Sequence, residues 1–218
     1  MADQAEMISA VHTGDIEKVK VLVQADPSLS SSKDERGVSA LMHAYYRRRR
    51  DIADVILDFR SDLDIFEATA SGRVDMVSEM LDRNSAQATA WSSDGFTALH
   101  FASFFNQPTI ARELVRRGAD IAAVSMNPME VTPLHSAAAA HATEIVRMLV
   151  ESDAPVNAKQ HGGWTALHAA ADSGDEEMIK ILLQHGADPL AQNDDGKTPV
   201  QIAQLKGREK AVHLLSSA

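Results

Sequence analysis

Thr97-Ala98-Leu99-His100 recurs as Thr132-Pro133-Leu134-His135, as Thr165-Ala166-Leu167-His168 and as Thr198-Pro199-Val200-Gln201, at steps of 35, 33 and 33 residues. A fixed period of this length constrains the fold more than any other feature of the chain. It means that one supersecondary unit is copied and stacked, because a single unit this small cannot bury its own apolar face. Each copy continues with small residues, as in Ala137-Ala138-Ala139-Ala140 and Ala169-Ala170-Ala171, and then with a second apolar block: Ile110 to Val115, Ile145 to Val150, Met178 to Leu183, Ala211 to Leu215. A turn closes the unit, written Gly118-Ala119-Asp120, Ser152-Asp153-Ala154 and Gly186-Ala187-Asp188.

The local chemistry predicts two helices per unit. Thr97, Thr132, Thr165 and Thr198 stand where a helix begins, and a hydroxyl there satisfies an unpaired amide. Pro133 and Pro199 follow directly, at a position that needs no N–H. Gly37, Gly95, Gly163 and Gly196 precede the Thr or Ser by two residues and suit a turn with positive φ.

The period near 33, the Thr-Pro-Leu-His pattern and the closing Gly-Ala-Asp resemble the ankyrin repeat. The resemblance extends upstream through the degenerate copy Ser39-Ala40-Leu41-Met42-His43-Ala44. An offset of 58 residues aligns Gly14 with Gly72, Gly37 with Gly95 and Leu41 with Leu99, which points to an internal duplication. The resemblance implies an all-α ankyrin-repeat solenoid of about seven helix-turn-helix units with short β-hairpin fingers, as in the short stand-alone ankyrin proteins of bacteria. The units start near residues 4, 36, 62, 95, 130, 163 and 196, so residues 1–218 are expected to form a single domain.

Two irregularities interrupt the pattern. Between Asp58-Phe59-Arg60 and Asp62-Leu63-Asp64-Ile65 the chain is too short for a full finger. A continuous stack lacking one finger is the expectation, over two separate blocks. The step from Thr97 to Thr132 is two residues long, and the extra length lies in 121–130, where Glu130 takes the place of the turn glycine and Met126 and Met129 stand near the tip. Methionine adapts well to binding surfaces.

Composition excludes several functions. The chain has no cysteine, which removes disulfides, thiol nucleophiles and Cys-ligated zinc. Its formal net charge of −10 opposes general binding to nucleic acid. No apolar run approaches the roughly 20 residues needed to span a bilayer, and the acidic start does not read as a secretory signal. A cytoplasmic monomer is expected. Gly-x-Ser-x-Gly elbows and phosphate loops are missing, and the repeat histidines His100, His135 and His168 stand one per unit, too far apart to share an ion. No enzyme activity, metal or cofactor is expected; the resemblance implies instead that these histidines bond backbone near the fingers.

The expected function is binding of a partner protein through a concave face built of finger tips and first-helix ends. Apolar anchors are expected at Trp91, Phe96, Phe104, Phe105, Met126, Met129 and Trp164, with Tyr46, Arg47, Asn127, Gln160, His161, Asp172, Asn193 and Asp194 setting polarity around them. A rival reading has the rings filling a gap beside the shortened third unit. Another has a small molecule binding between the fingers at 126–130 and 160–164. Arg47-Arg48-Arg49-Arg50 is the one dense cationic run, placed by the repeat in the turn between two helices. It reads as a solvated turn or as a contact for phosphate or an acidic surface.

Overall fold

Capping starts most of the first helices. Thr132 and Thr165 each accept, through the side chain, the amide three residues on, at 3.4 Å, while Ser39 accepts from the Met42 amide at 3.2 Å. Pro133 and Pro199 occupy the first helical position, as expected. The computed structural model describes residues 2–217 and is helical, with isolated β-bridges among the described residues.

The chain divides into two compact units, residues 1–71 and 72–218. The first contains α1 (Ala2–Thr13), α2 (Ile16–Ala25), α3 (Ala40–Tyr46), α4 (Arg50–Leu57) and α5 (Ile65–Ala70). Here α1 packs on α3 and α3 on α5, while α2 packs on α4. The buried Met7, Val19, Leu41, Ile52 and Ile56 form its core.

The second unit begins with α6 (Val74–Arg83) and continues with α7 (Ala98–Phe104), α8 (Pro108–Arg116), α9 (Pro133–Ala139), α10 (Thr143–Glu151), α11 (Ala166–Ser173), α12 (Glu176–Gln184), α13 (Pro199–Leu205) and α14 (Glu209–Ser216). The first helices α7, α9, α11 and α13 pack in succession as one layer; α6, α8, α10, α12 and α14 form the other. Alanines 98, 102, 137, 138, 166, 170 and 171 are buried and let the first helices approach closely, while Leu99, Ile110, Leu114, Leu134, Ile145, Leu149 and Leu167 fill the space between layers.

The 58-residue offset reappears in the backbone. Asp26 and Asn84 both cap a short 3-10 turn, accepting from the amides of Ser28 and Ala86 at 2.9 and 3.2 Å. The bridges Lys33–Ser39 and Trp91–Thr97 obey the same offset. The other fingers are closed by fewer bonds than a β-hairpin would make, for example Gln160 N–H to the Trp164 carbonyl at 2.9 Å.

Where a finger is missing, at 59–64, Arg60 takes its place. Its side chain is 5% exposed and donates to the Glu67 carboxylate at 2.8 Å and to the Ser30 carbonyl at 3.2 Å. Glu67, 2% exposed, also accepts from the Asp64 amide at 3.1 Å, completing the cap of α5. The charged pair thereby satisfies backbone groups that a finger would otherwise cover.

Candidate partner-binding surface

Successive fingers of the second unit are joined through their backbones. The Gly95 carbonyl accepts from the Met126 amide at 2.9 Å, the Met129 carbonyl from the His161 amide at 3.1 Å, and the Gly162 carbonyl from the Asp194 amide at 3.0 Å. Asn127 adds a side-chain link, its Nδ2 donating to the Asp94 carbonyl at 2.9 Å. These bonds order the finger row before any ligand arrives, which lowers the entropy cost of binding.

Beneath the row lie the repeat histidines. Nε2–H of His100 donates to the Val131 carbonyl at 3.0 Å, while Nδ1 accepts from the Thr97 amide and hydroxyl at 3.2 and 2.8 Å. His135 and His168 repeat the arrangement toward the carbonyls of Ala158 and Lys197, each at 3.0 Å. Burial holds all three imidazoles neutral, with His100 lowered to about 4. Both ring nitrogens are thus engaged in bracing the fingers, as the family resemblance implied, and neither is left to ligate a metal.

The candidate aromatics of the second unit divide into supports and the outward ring of Phe104. Phe96 lies 5.7 Å from the His100 ring and 5.6 Å from that of buried Phe101; Phe105 stacks on Phe101 at 6.3 Å. Trp91 and Trp164 are half-buried over His100 and His168 at 6.2 and 5.6 Å. Phe104 meets Phe105 edge-on at 5.2 Å and is 41% exposed. Met126 and Met129 are exposed further, at 68% and 55%.

The polar candidates also divide. His161 and Asp194 are exposed and Gln160 is half-buried at the start of its finger. Asp172 accepts from Lys206 Nζ at 3.0 Å. Asn193 is buried, and its Oδ1 accepts from the amides of Asp195 and Lys197 at 3.1 and 2.9 Å, so it shapes its own finger. Asn127 likewise accepts from the Met129 amide at 3.0 Å. Tyr46, half-buried, and Arg47, exposed, belong to the first unit.

Some exposed apolar residues escaped the sequence reading. Leu205 is 67% exposed at the repeat position of Phe104, and Leu190 and Val124 are 75% and 52% exposed in the loops leading to fingers. Register alone marks Leu205, since Phe104, Ala139, Asp172 and Leu205 follow their Thr by the same seven residues. Ser125 was also missed. Its buried hydroxyl accepts from the Val131 amide at 3.0 Å and donates to Asn127 at 3.1 Å, which holds the longer finger in shape.

Comparison with known proteins follows the same register. A family model described as "Ankyrin repeats (3 copies)" matches residues 134–218, and one described as "Ankyrin repeat" matches 94–126, together more than half of the chain. The chain is 30% identical over 162 residues to the ankyrin repeat domain-containing protein SAT10 of Stachybotrys chartarum, covering 72% of this chain and 8% of that protein. The chain thus spans a small part of the length of the relative it matches. Among the described residues no helix is long and apolar enough to cross a membrane.

Proposed function

The chain belongs to the ankyrin-repeat family, whose arrays are general protein-interaction modules, and from that premise we propose that it is a non-enzymatic adaptor. It binds a partner protein through the finger tips and first-helix ends of residues 72–218. The observation that carries this reading is the exposure of Phe104, Met126 and Met129 along a finger row already bonded into place. Exposed apolar side chains on a rigid base are the usual anchors of a protein interface. Asp194 and His161 lie on the same row and set the polarity around them. A cytoplasmic setting and a monomeric state are parts of this reading, supported by a cysteine-free sequence that needs no oxidising compartment.

The rival small-molecule reading needs an opening between the fingers at 126–130 and 160–164. The bond from the His161 amide to the Met129 carbonyl joins those fingers directly, which favours the protein-binding reading.

A crosslinking pull-down from the native host tests it, comparing wild type with a folded Phe104→Glu/Met129→Glu variant. Capture by wild type and loss with the variant is the expected result. Capture that survives both charges overturns the assignment of this surface.

A further inference from the structure

In the first unit, the turn between α3 and α4 carries the run Arg47-Arg48-Arg49-Arg50. Its backbone is fixed by three bonds: the amides of Arg47, Arg48 and Arg49 donate to the carbonyls of His43, Tyr45 and Ala44 at 3.2, 2.9 and 2.9 Å. Arg49 is spent on structure. Its Nη1 donates to the Gly14 carbonyl at 2.8 Å, and its Nε and Nη2 grip the Asp51 carboxylate at 2.9 and 2.7 Å. Asp51, the carboxylate nearest in sequence, is held down to about 2, chiefly by that bond to Arg49, so its charge is already matched.

Three cations remain. Arg47, Arg48 and Arg50 are exposed around a turn that cannot rearrange cheaply. His12 nearby has a lowered pKa, first from burial, then from the charge of His43 and last from that of Arg47, against the opposing pull of Asp34. His43, beside His12, bonds Asp34 at 3.0 Å, and Arg36 stands 4.0 Å from the same carboxylate. Arg48 holds φ at 56°, as Asn106 and His141 do at 52° and 56° in the equivalent turns, where Gly14, Gly72, Gly174 and Gly207 stand in the others.

We propose that this turn is a docking site for an acidic segment of a partner protein, whose carboxylates are gripped by Arg47, Arg48 and Arg50. Guanidinium forks match carboxylate and phosphate oxygens in pairs. A peptide fits better than nucleic acid, because residues 1–71 hold nine Lys or Arg against thirteen Asp or Glu. A long polyanion would meet that net negative charge beyond the turn, whereas a short segment touches the arginines alone.

Fluorescence anisotropy on the full chain tests this with three labelled probes: an octaglutamate peptide, a phosphoserine peptide and an eight-nucleotide RNA. The octaglutamate peptide is expected to bind saturably and more tightly than the phosphoserine peptide, and the reverse order overturns the assignment of a carboxylate-bearing segment. Binding should weaken at least tenfold in Arg47→Gln/Arg50→Gln and fall as salt rises. Arg48→Gly is expected to weaken binding while raising Tm, a combination that a merely structural arginine would not give. Absence of saturable peptide binding, equal binding by the variants, or tighter binding of the RNA overturns the proposal.

Discussion

Gly95 and the main chain of Met126 lie so close that a Cβ on Gly95 would stand 2.9 Å from the Met126 carbonyl carbon. The contact is the steric face of the finger-to-finger bond, and it explains a glycine whose φ of 82° a side chain also disfavours. Gly196 holds the same repeat position at φ 72°, with nothing within 4 Å of its would-be Cβ. Gly196→Ala should therefore lose only the conformational preference, about 1 kcal/mol. Gly95→Ala should lose more, about 2–3 kcal/mol, because backbone must move as well. Urea unfolding of the two variants checks this, and equal losses would mean that the fingers are not tightly joined.

Glu130 occupies the corresponding position in the longer finger at φ 52°, with an exposed side chain. Glu130→Gly removes the strain without removing packing. It should stabilise the protein by about 1 kcal/mol in the same assay.

The buried histidines make stability depend on acid. An unfolded imidazole takes its proton near pH 6.5 and folded His100 only near 4, so between these values the unfolded state binds more protons. The contribution of each such group is complete above pH 6.5 and declines as pH falls, by up to about 1.4 kcal/mol per pH unit. His135 and His168 shift in the same direction, so Tm should drop steeply from pH 7 to pH 5. Gln201 already stands at this position in the last repeat, its Oε1 accepting from the Thr198 amide at 2.9 Å. His100→Gln should accordingly flatten the acid slope while lowering Tm at pH 7. Thermal melts across that range read both effects.

Arg60 and Glu67 form a buried ion pair where a finger is absent. Arg60→Met leaves the Glu67 carboxylate and the Ser30 carbonyl without their partner, and removing one member of such a pair typically costs about 3–5 kcal/mol. Faster hydrogen exchange in α5 and a lower urea midpoint are the expected readouts. An unchanged midpoint would show that solvent replaces the guanidinium.

Much of this was legible because it is periodic. The helix pairs, the buried histidines and the left-handed residues Arg48 and Glu130 all follow from register, since the backbone at a repeat position is set mostly by the same local turn. The offset of 58 residues was legible for the same reason, and the two bridges fall at that spacing. The candidate surface was less legible. Phe104 and Phe105 are adjacent and chemically identical, yet one is exposed and the other stacks on Phe101. Asn193 and Asp194 are also adjacent, yet the first is buried in its own finger and only the second faces solvent.

What the amino-acid sequence determined by itself was the repeating unit: where each helix starts, which face is apolar and which turn takes positive φ. These depend on neighbours a few residues away, and the chain carries that information four times over. Tertiary structure decided which polar and aromatic groups stayed exposed. Asn127 reaches the Asp94 carbonyl, Met129 receives the His161 amide, and Arg60 is drawn into the space of a missing finger. Such bonds join neighbouring units, and whether a side chain is consumed or displayed depends on what the next unit places beside it.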